Sequence, residues 1–175
     1  MQNPVNLPNI QPSKPHQLWR NLLIPLIVII VVAGDIFTKE WIRSFPPDGE
    51  TIYRFGFIRI IHITNTGSAF GAFQGYSLIL TIVAILGLIV LTWLGVYIYR
   101  KYPKYVNLSN RFALGLILGG DLGNLIDRFR FGRVTDFIDT TIIPVFNVAD
   151  SAITVGVVLV IFFLLRETIR ETKQG

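Results

Sequence analysis

From Leu78 to Tyr99 the chain runs without a single charged residue, and that stretch constrains the fold more than any other feature. It is long enough to cross the hydrocarbon core of a bilayer as a helix, whose backbone groups bond internally and need no water. Three further stretches are apolar over most of a span: Leu22 to Phe37, Phe112 to Ile126 and Phe146 to Leu165. Composition agrees, because 51% hydrophobic and 15% charged residues leave too little charge to cover a soluble domain of 175 residues. The expectation is a membrane all-α bundle of four transmembrane helices, with spans at about 20–40, 77–99, 111–128 and 147–166, in a single transmembrane domain over 18–170.

The connecting segments differ in kind. Residues 1–17 hold four prolines and no apolar period, which reads as a disordered cytoplasmic tail; 171–175 form a second short tail. Ala33-Gly34 is a weak small-residue cleavage site, but the run continues into Asp35-Ile-Phe-Thr-Lys39, so an uncleaved first span is expected rather than a signal peptide. Thr51 to Thr64 is rich in β-branched and aromatic residues between Pro46-Pro47-Asp48-Gly49 and Asn65-Thr-Gly67. It reads as one or two strands of a small β-rich subdomain at about 45–75, outside the bilayer.

Loop charge gives orientation. Arg100, Lys101, Lys104 and Arg111 crowd one short loop, and the tails add Lys14, Arg20, Arg166, Arg170 and Lys173. The other side holds Lys39, Arg43, Arg54, Arg59, Arg128, Arg130 and Arg133. Nine against seven decides little by count, but the density in the short loop places it, and both termini, in the cytoplasm.

Much chemistry is excluded. With no cysteine there is no disulfide, thiolate metal site or cysteine nucleophile. Two histidines, His16 and His62, do not make a zinc site. The net charge of +5 sits at span ends, where membrane proteins place basic residues, and does not point to nucleic acid. Ser68 with His62 as its base is a poor nucleophile pair, six residues apart across a strand end. Carboxylates suit magnesium, but no spacing here is diagnostic of a cation site, so no metal and no cofactor are expected.

The polar residues gather at the outer ends of the spans: Asp35 and Lys39 on the first, Asp121, Asn124, Asp127 and Arg128 on the third, Asn147 and Asp150 on the fourth. Ionisable groups at membrane depth face the bundle interior and usually mark function. Asp35/Lys39 and Asp127/Arg128 also read as structural ion pairs, Asn124 and Asn147 as interhelical hydrogen-bond partners, and Gly115, Gly119, Gly120 and Gly123 as close helix packing. Acid remains in surplus. Asp136 and Asp150 have no sequence-adjacent base, and two carboxylates brought together keep one proton between them. That is the state needed for one acid and one base around a water.

The order Asp35-Ile-Phe-Thr-Lys39, Asn65-Thr-Gly-Ser-Ala-Phe-Gly71, Gly123-Asn-Leu-Ile-Asp-Arg128, Val134-Thr-Asp-Phe137 and Phe146-Asn-Val-Ala-Asp-Ser151 resembles the lipoprotein signal peptidases, over residues from about 20 to 170. The resemblance implies an aspartic endopeptidase of the bacterial inner membrane. Its substrates would be prolipoproteins bearing a diacylglyceryl cysteine, cleaved just before that cysteine beside the membrane phospholipids, with no obligate protein partner inferred. It places the catalytic pair on Asp136 and Asp150. Asp127 is then a supporting group held ionised by Arg128, while Asp35, Lys39, Asn65, Gly67, Asn124, Arg128, Asn147 and Ala149 support the pair or the substrate. Residues 45–75 resemble the family's extracytoplasmic cradle. Three features depart from the pattern: Asp121 stands where a small residue is usual, the segment from Asp139 to Phe146 is short, and the N-terminal tail is long. A proton- or cation-conducting transporter would need polar residues across the whole membrane, which the inner span halves lack, and a non-enzymatic assembly factor leaves the unpaired acids unexplained.

Overall fold

The computed structural model describes residues 15–66, 77–102 and 107–172. Residues 1–14 of the expected tail, Gly67 and Ser68 with the rest of the loop to residue 76, Lys104 and residues 173–175 lie outside the described residues. Four helices and three strands follow in the order α1 (Pro15–Ile42), β1 (Thr51–Phe55), β2 (Ile58–Asn65), α2 (Ser77–Lys101), α3 (Leu108–Phe131), β3 (Val134–Asp139) and α4 (Val148–Thr172). Helix α1 therefore reaches back to Pro15, into the segment read as tail; proline is at ease in a first helical turn, where its missing N–H costs no hydrogen bond.

Three helices are long and apolar enough to cross a membrane, within Leu22–Ile42, Leu78–Ile98 and Val148–Arg166. α3 is as long but more polar, and the packing explains why. It touches α1, α2 and α4, so it is the central helix of the bundle. Its glycines let the neighbours approach closely. A Cβ at Gly115 or Gly119 would stand 2.8 Å from the Cβ of Ile27 or Val31 on α1, and one at Gly120 would stand 2.3 Å from the carbonyl oxygen of Ala149 on α4. The close-packing reading of these glycines therefore holds. α2 is the opposite case: apolar all round and largely exposed, with Leu78, Val83, Ile89 and Trp93 turned outward. An outward apolar face is what a bilayer solvates.

β1 and β2 form a hairpin through Gly56, whose φ of +60° suits glycine at a tight turn. Tyr53 stacks on Trp41 of α1, while Phe55 and Phe57 project from the hairpin. A third antiparallel strand, β3, pairs with β2, giving the order β1-β2-β3. This strand lies in the segment read only as the link between the third and fourth helices. Its signal was Val134-Thr-Asp-Phe-Ile138, a short β-branched and aromatic run that follows Gly132-Arg133. Gly132 ends α3 in the left-handed conformation and bonds back to the Arg128 carbonyl, turning the chain straight into the strand.

Candidate active site

The site forms where the ends of α1 and α3, the start of α4 and strand β3 meet. Asn147 is the residue from which α4 starts. Its side-chain oxygen accepts from the Asp150 N–H at 2.9 Å, and its own N–H donates to an Asp150 carboxylate oxygen at 3.2 Å. This is a capping box, with Asn and Asp three residues apart satisfying each other's orphan donors. The local sequence Phe-Asn-Val-Ala-Asp150 thus starts the helix and fixes Asp150 in one act.

Asn147 does more with its amide nitrogen. It donates to Asp136 at 2.7 Å, to the Asn124 side-chain oxygen at 3.1 Å and to the Thr135 carbonyl at 3.3 Å. Asn65, at the end of β2, donates to the other Asp136 oxygen at 2.9 Å. Asn124 donates to Asp150 at 2.7 Å. Each of the two acids is therefore held by asparagine amides. Burial pushes Asp136 up to about 6; the Asn65 and Asn147 bonds oppose that rise, and the nearby Asp150 charge adds to it. Asp139, on the same strand, goes the other way, held below the usual range first by the Thr141 N–H and then by Arg59.

A second layer supports the first. Lys39, fully buried, reaches Asp35 at 2.7 Å, Asp127 at 3.4 Å and the Asn124 side-chain oxygen at 3.0 Å. Asp35 in turn accepts the Ala149 N–H at 2.9 Å, which ties α1 to the start of α4. Asp127 accepts the Thr135 N–H at 3.0 Å and pairs with Arg43. Gly123 leaves the space that the Asp35 carboxylate occupies, since a Cβ there would lie 2.7 Å from it. A charge buried this deeply persists only when paired and hydrogen-bonded, and here it is.

Asp136 and Asp150 line one pocket of about 520 Å³ with Asn65, Asn124 and Arg128. Its other wall is apolar, built by Ile143, Pro144, Val145 and Phe146 before α4 and by Ile153 and Val155 on it. Two carboxylates, a guanidinium and an apolar wall suit hydrolysis of a bond in a largely apolar chain. Among the described residues no group of His, Cys, Asp and Glu side chains is arranged to hold a metal ion.

Of the residues singled out from sequence, Asp35, Lys39, Asn65, Asn124, Asp127, Arg128, Asp136, Asn147, Ala149 and Asp150 come together here, and Gly67 lies outside the described residues. One pairing is corrected. Asp127 does not pair with Arg128; its partners are Lys39 and Arg43. Consecutive helical residues point about 100° apart, so Asp127 turns into the bundle while Arg128 turns to the pocket. Arg43 and Thr135, whose side chains bond each other at 3.1 Å, were not identified. The signal for Arg43 was its spacing, because Asp35, Lys39 and Arg43 recur every four residues on one face of α1.

The model of the family described as signal peptidase (SPase) II matches residues 27–166. A lipoprotein signal peptidase of Dehalococcoides mccartyi is 40% identical, over 81% of this chain and 88% of its own. One from Staphylococcus aureus is 39% identical, over 82% and 88%. A bacterial membrane enzyme solved by the in meso method at 2.3 Å resolution superposes with a TM-score of 0.73 at 38% identity, covering 83% of this chain and 88% of that one.

Proposed function

The chain belongs to the signal peptidase II family of bacterial integral membrane proteins, which process the signal peptides of prolipoproteins, and on that premise we propose that it works as an aspartic endopeptidase with Asp136 and Asp150 as its catalytic pair. The observation that carries the reading is that these two acids line one pocket, each held by asparagine amides, with Asn147 touching both. Burial favours the protonated form of Asp136, which enters as the acid in this reading. Asp150 takes a proton from water as it attacks the scissile carbonyl; Asp136 donates to the developing oxyanion, and the pair then passes a proton to the departing amine. Arg128, at the pocket wall, donates to the substrate backbone.

The substrate in this proposal is a prolipoprotein whose cysteine already bears a diacylglyceryl group, cut just before that cysteine. The signal segment runs along the apolar wall from Ile143 to Phe146 while the lipid stays in the outer leaflet. α3 is the fourth span. At roughly 1.5 Å per residue its 24 residues reach about 36 Å, and its polar groups are shielded by α1, α2 and α4. Both termini are cytoplasmic, in the inner membrane, and the sheet lies on the extracytoplasmic side with the site. Reporter fusions at Gly49 and Arg100 should give opposite signals; a cytoplasmic signal at Gly49 would put the site on the wrong face.

The decisive experiment incubates the purified protein and its Asp136→Asn and Asp150→Asn variants with a diacylglyceryl-modified prolipoprotein and follows the size shift. The parent should cleave, and each variant should lose turnover by at least about 1,000-fold, because an amide neither takes nor gives the proton. Substantial turnover in either variant would show that the pair is wrongly assigned.

A further inference from the structure

Two half-buried charges of α3, Asp121 and Arg128, make no hydrogen bond or ion pair among the described residues. They lie seven residues apart, two helical turns and roughly 10 Å along the axis, and so share a face of the helix. Asp121 is the deeper of the two. A carboxylate within an apolar bundle is costly and usually has a task.

The surrounding charges narrow that task. On α1, Asp35, Lys39 and Arg43 are engaged, with Asp127 of α3, in one ion-pair network. From β2 the pair meets neutral Asn65, since Arg59 is bound to Asp139 and His62 to the Phe45 carbonyl. From α4 comes Asp150 itself. Arg128 is thus the cation that lines the pocket with Asp136 and Asp150 while no carboxylate of the described residues holds it within 4 Å. Left unopposed, a guanidinium in that position favours both acids ionised, and a doubly ionised pair has no proton to give the substrate.

We propose that Asp121 is a positioning residue that acts through Arg128: its charge offsets part of the guanidinium's, so that the pocket retains the proton that Asp136 gives to the substrate. The inference rests on the reading of that pair as catalytic. It also gives Asp121, a departure from the family pattern, a role in the reaction without contact with the reacting atoms. Because Arg128 stays half-exposed to the pocket, it remains available to a substrate carbonyl while Asp121 balances it from below.

The test is the pH dependence of kcat, from about pH 5 to 8.5, for the parent, Asp121→Asn and Asp121→Glu with the diacylglyceryl-modified prolipoprotein. One charge removed at this range, with intermediate screening, moves the alkaline limb by roughly half to one pH unit. Asp121→Asn should therefore carry the limb to lower pH, losing roughly 3- to 10-fold in kcat at pH 8 and little at pH 5.5. KM should change less than about twofold, and Asp121→Glu should return the limb towards the parent position. The position of a limb does not depend on how much protein folds. An unmoved limb in Asp121→Asn, or a uniform loss at every pH, overturns the proposal. Asp136→Asn and Asp150→Asn run beside it: if both are inactive and the Asp121→Asn limb stays put, this inference alone fails. If either of them retains turnover, the catalytic assignment fails and this one with it.

Discussion

Replacing Asn147 by alanine tests whether one residue serves both the fold and the chemistry. The side chain is wholly buried and makes four kinds of contact: it caps α4 through the Asp150 N–H, and donates to Asp136, Asn124 and the Thr135 carbonyl. Losing a helix N-cap costs about 1 kcal/mol. Leaving a buried carboxylate short of a donor costs a further ~1–3 kcal/mol. The total, roughly 2–4 kcal/mol, corresponds to a fall in unfolding temperature on the order of 5–15 °C for a chain of this size. Serine at 147 still caps the helix but is too short to reach Asp136. Asn147→Ser should therefore recover about 1 kcal/mol of that loss and none of the activity. Both variants should lose roughly 100-fold in kcat, the usual scale for a reacting group displaced by about 1 Å. Thermal unfolding and steady-state cleavage, both in the same detergent, give the two numbers. Parent-like turnover in Asn147→Ala would refute the argument that this amide sets the geometry of the acid pair, and equal unfolding temperatures for Ser and Ala would refute the capping term.

Three other outcomes follow from the same geometry. Asp136 is pushed up to about 6, above its unfolded value, so the native state holds a proton that the unfolded chain has released; its contribution to stability is present at low pH and lost as pH rises towards 6. Asp136→Asn removes that charge, and at pH 7.5 it should unfold no lower than the parent although it is inactive; a large drop would mean that the Asn65 and Asn147 bonds outweigh the cost of burial. Gly120→Ala places a Cβ 2.3 Å from a backbone carbonyl, which must push α3 and α4 apart, and should cost at least ~1–3 kcal/mol with most of the folded yield; wild-type yield and Tm would show that the helices are less close than described. If the acids act directly on water, cleavage survives a strong chelator; loss in EDTA restored by magnesium would move the mechanism to a metal-bound water.

Much of the site was readable in one dimension because membrane burial makes polarity rare. In an apolar chain each Asp, Asn or Lys at a span end stands out, and its cost marks it as placed for a reason. Asp35, Lys39, Asn124, Asp127, Asn147 and Asp150 were found that way, and the glycines of α3 as the packing face. The strand β3 was less legible, since six residues between a helix and a loop carry little periodic signal and are held by β2, about seventy residues earlier in the chain.

Which charge meets which was only partly in the sequence: Asp35 and Lys39, one helical turn apart, do pair. Adjacency suggested Asp127 with Arg128, but helical geometry turns neighbours apart, and the partners of Asp127 come from α1. Sequence alone marked α1, α2 and α4, through apolar length, and singled out the carboxylates, because charge is rare in so apolar a chain. Only the tertiary structure decided that Asn147 bridges Asp136 and Asp150, that Asp35 holds the start of α4, and that Arg128 faces the pocket. The reason is that such contacts depend on helix rotation and on how closely glycine lets two backbones approach, and neither is a property of any one segment read by itself.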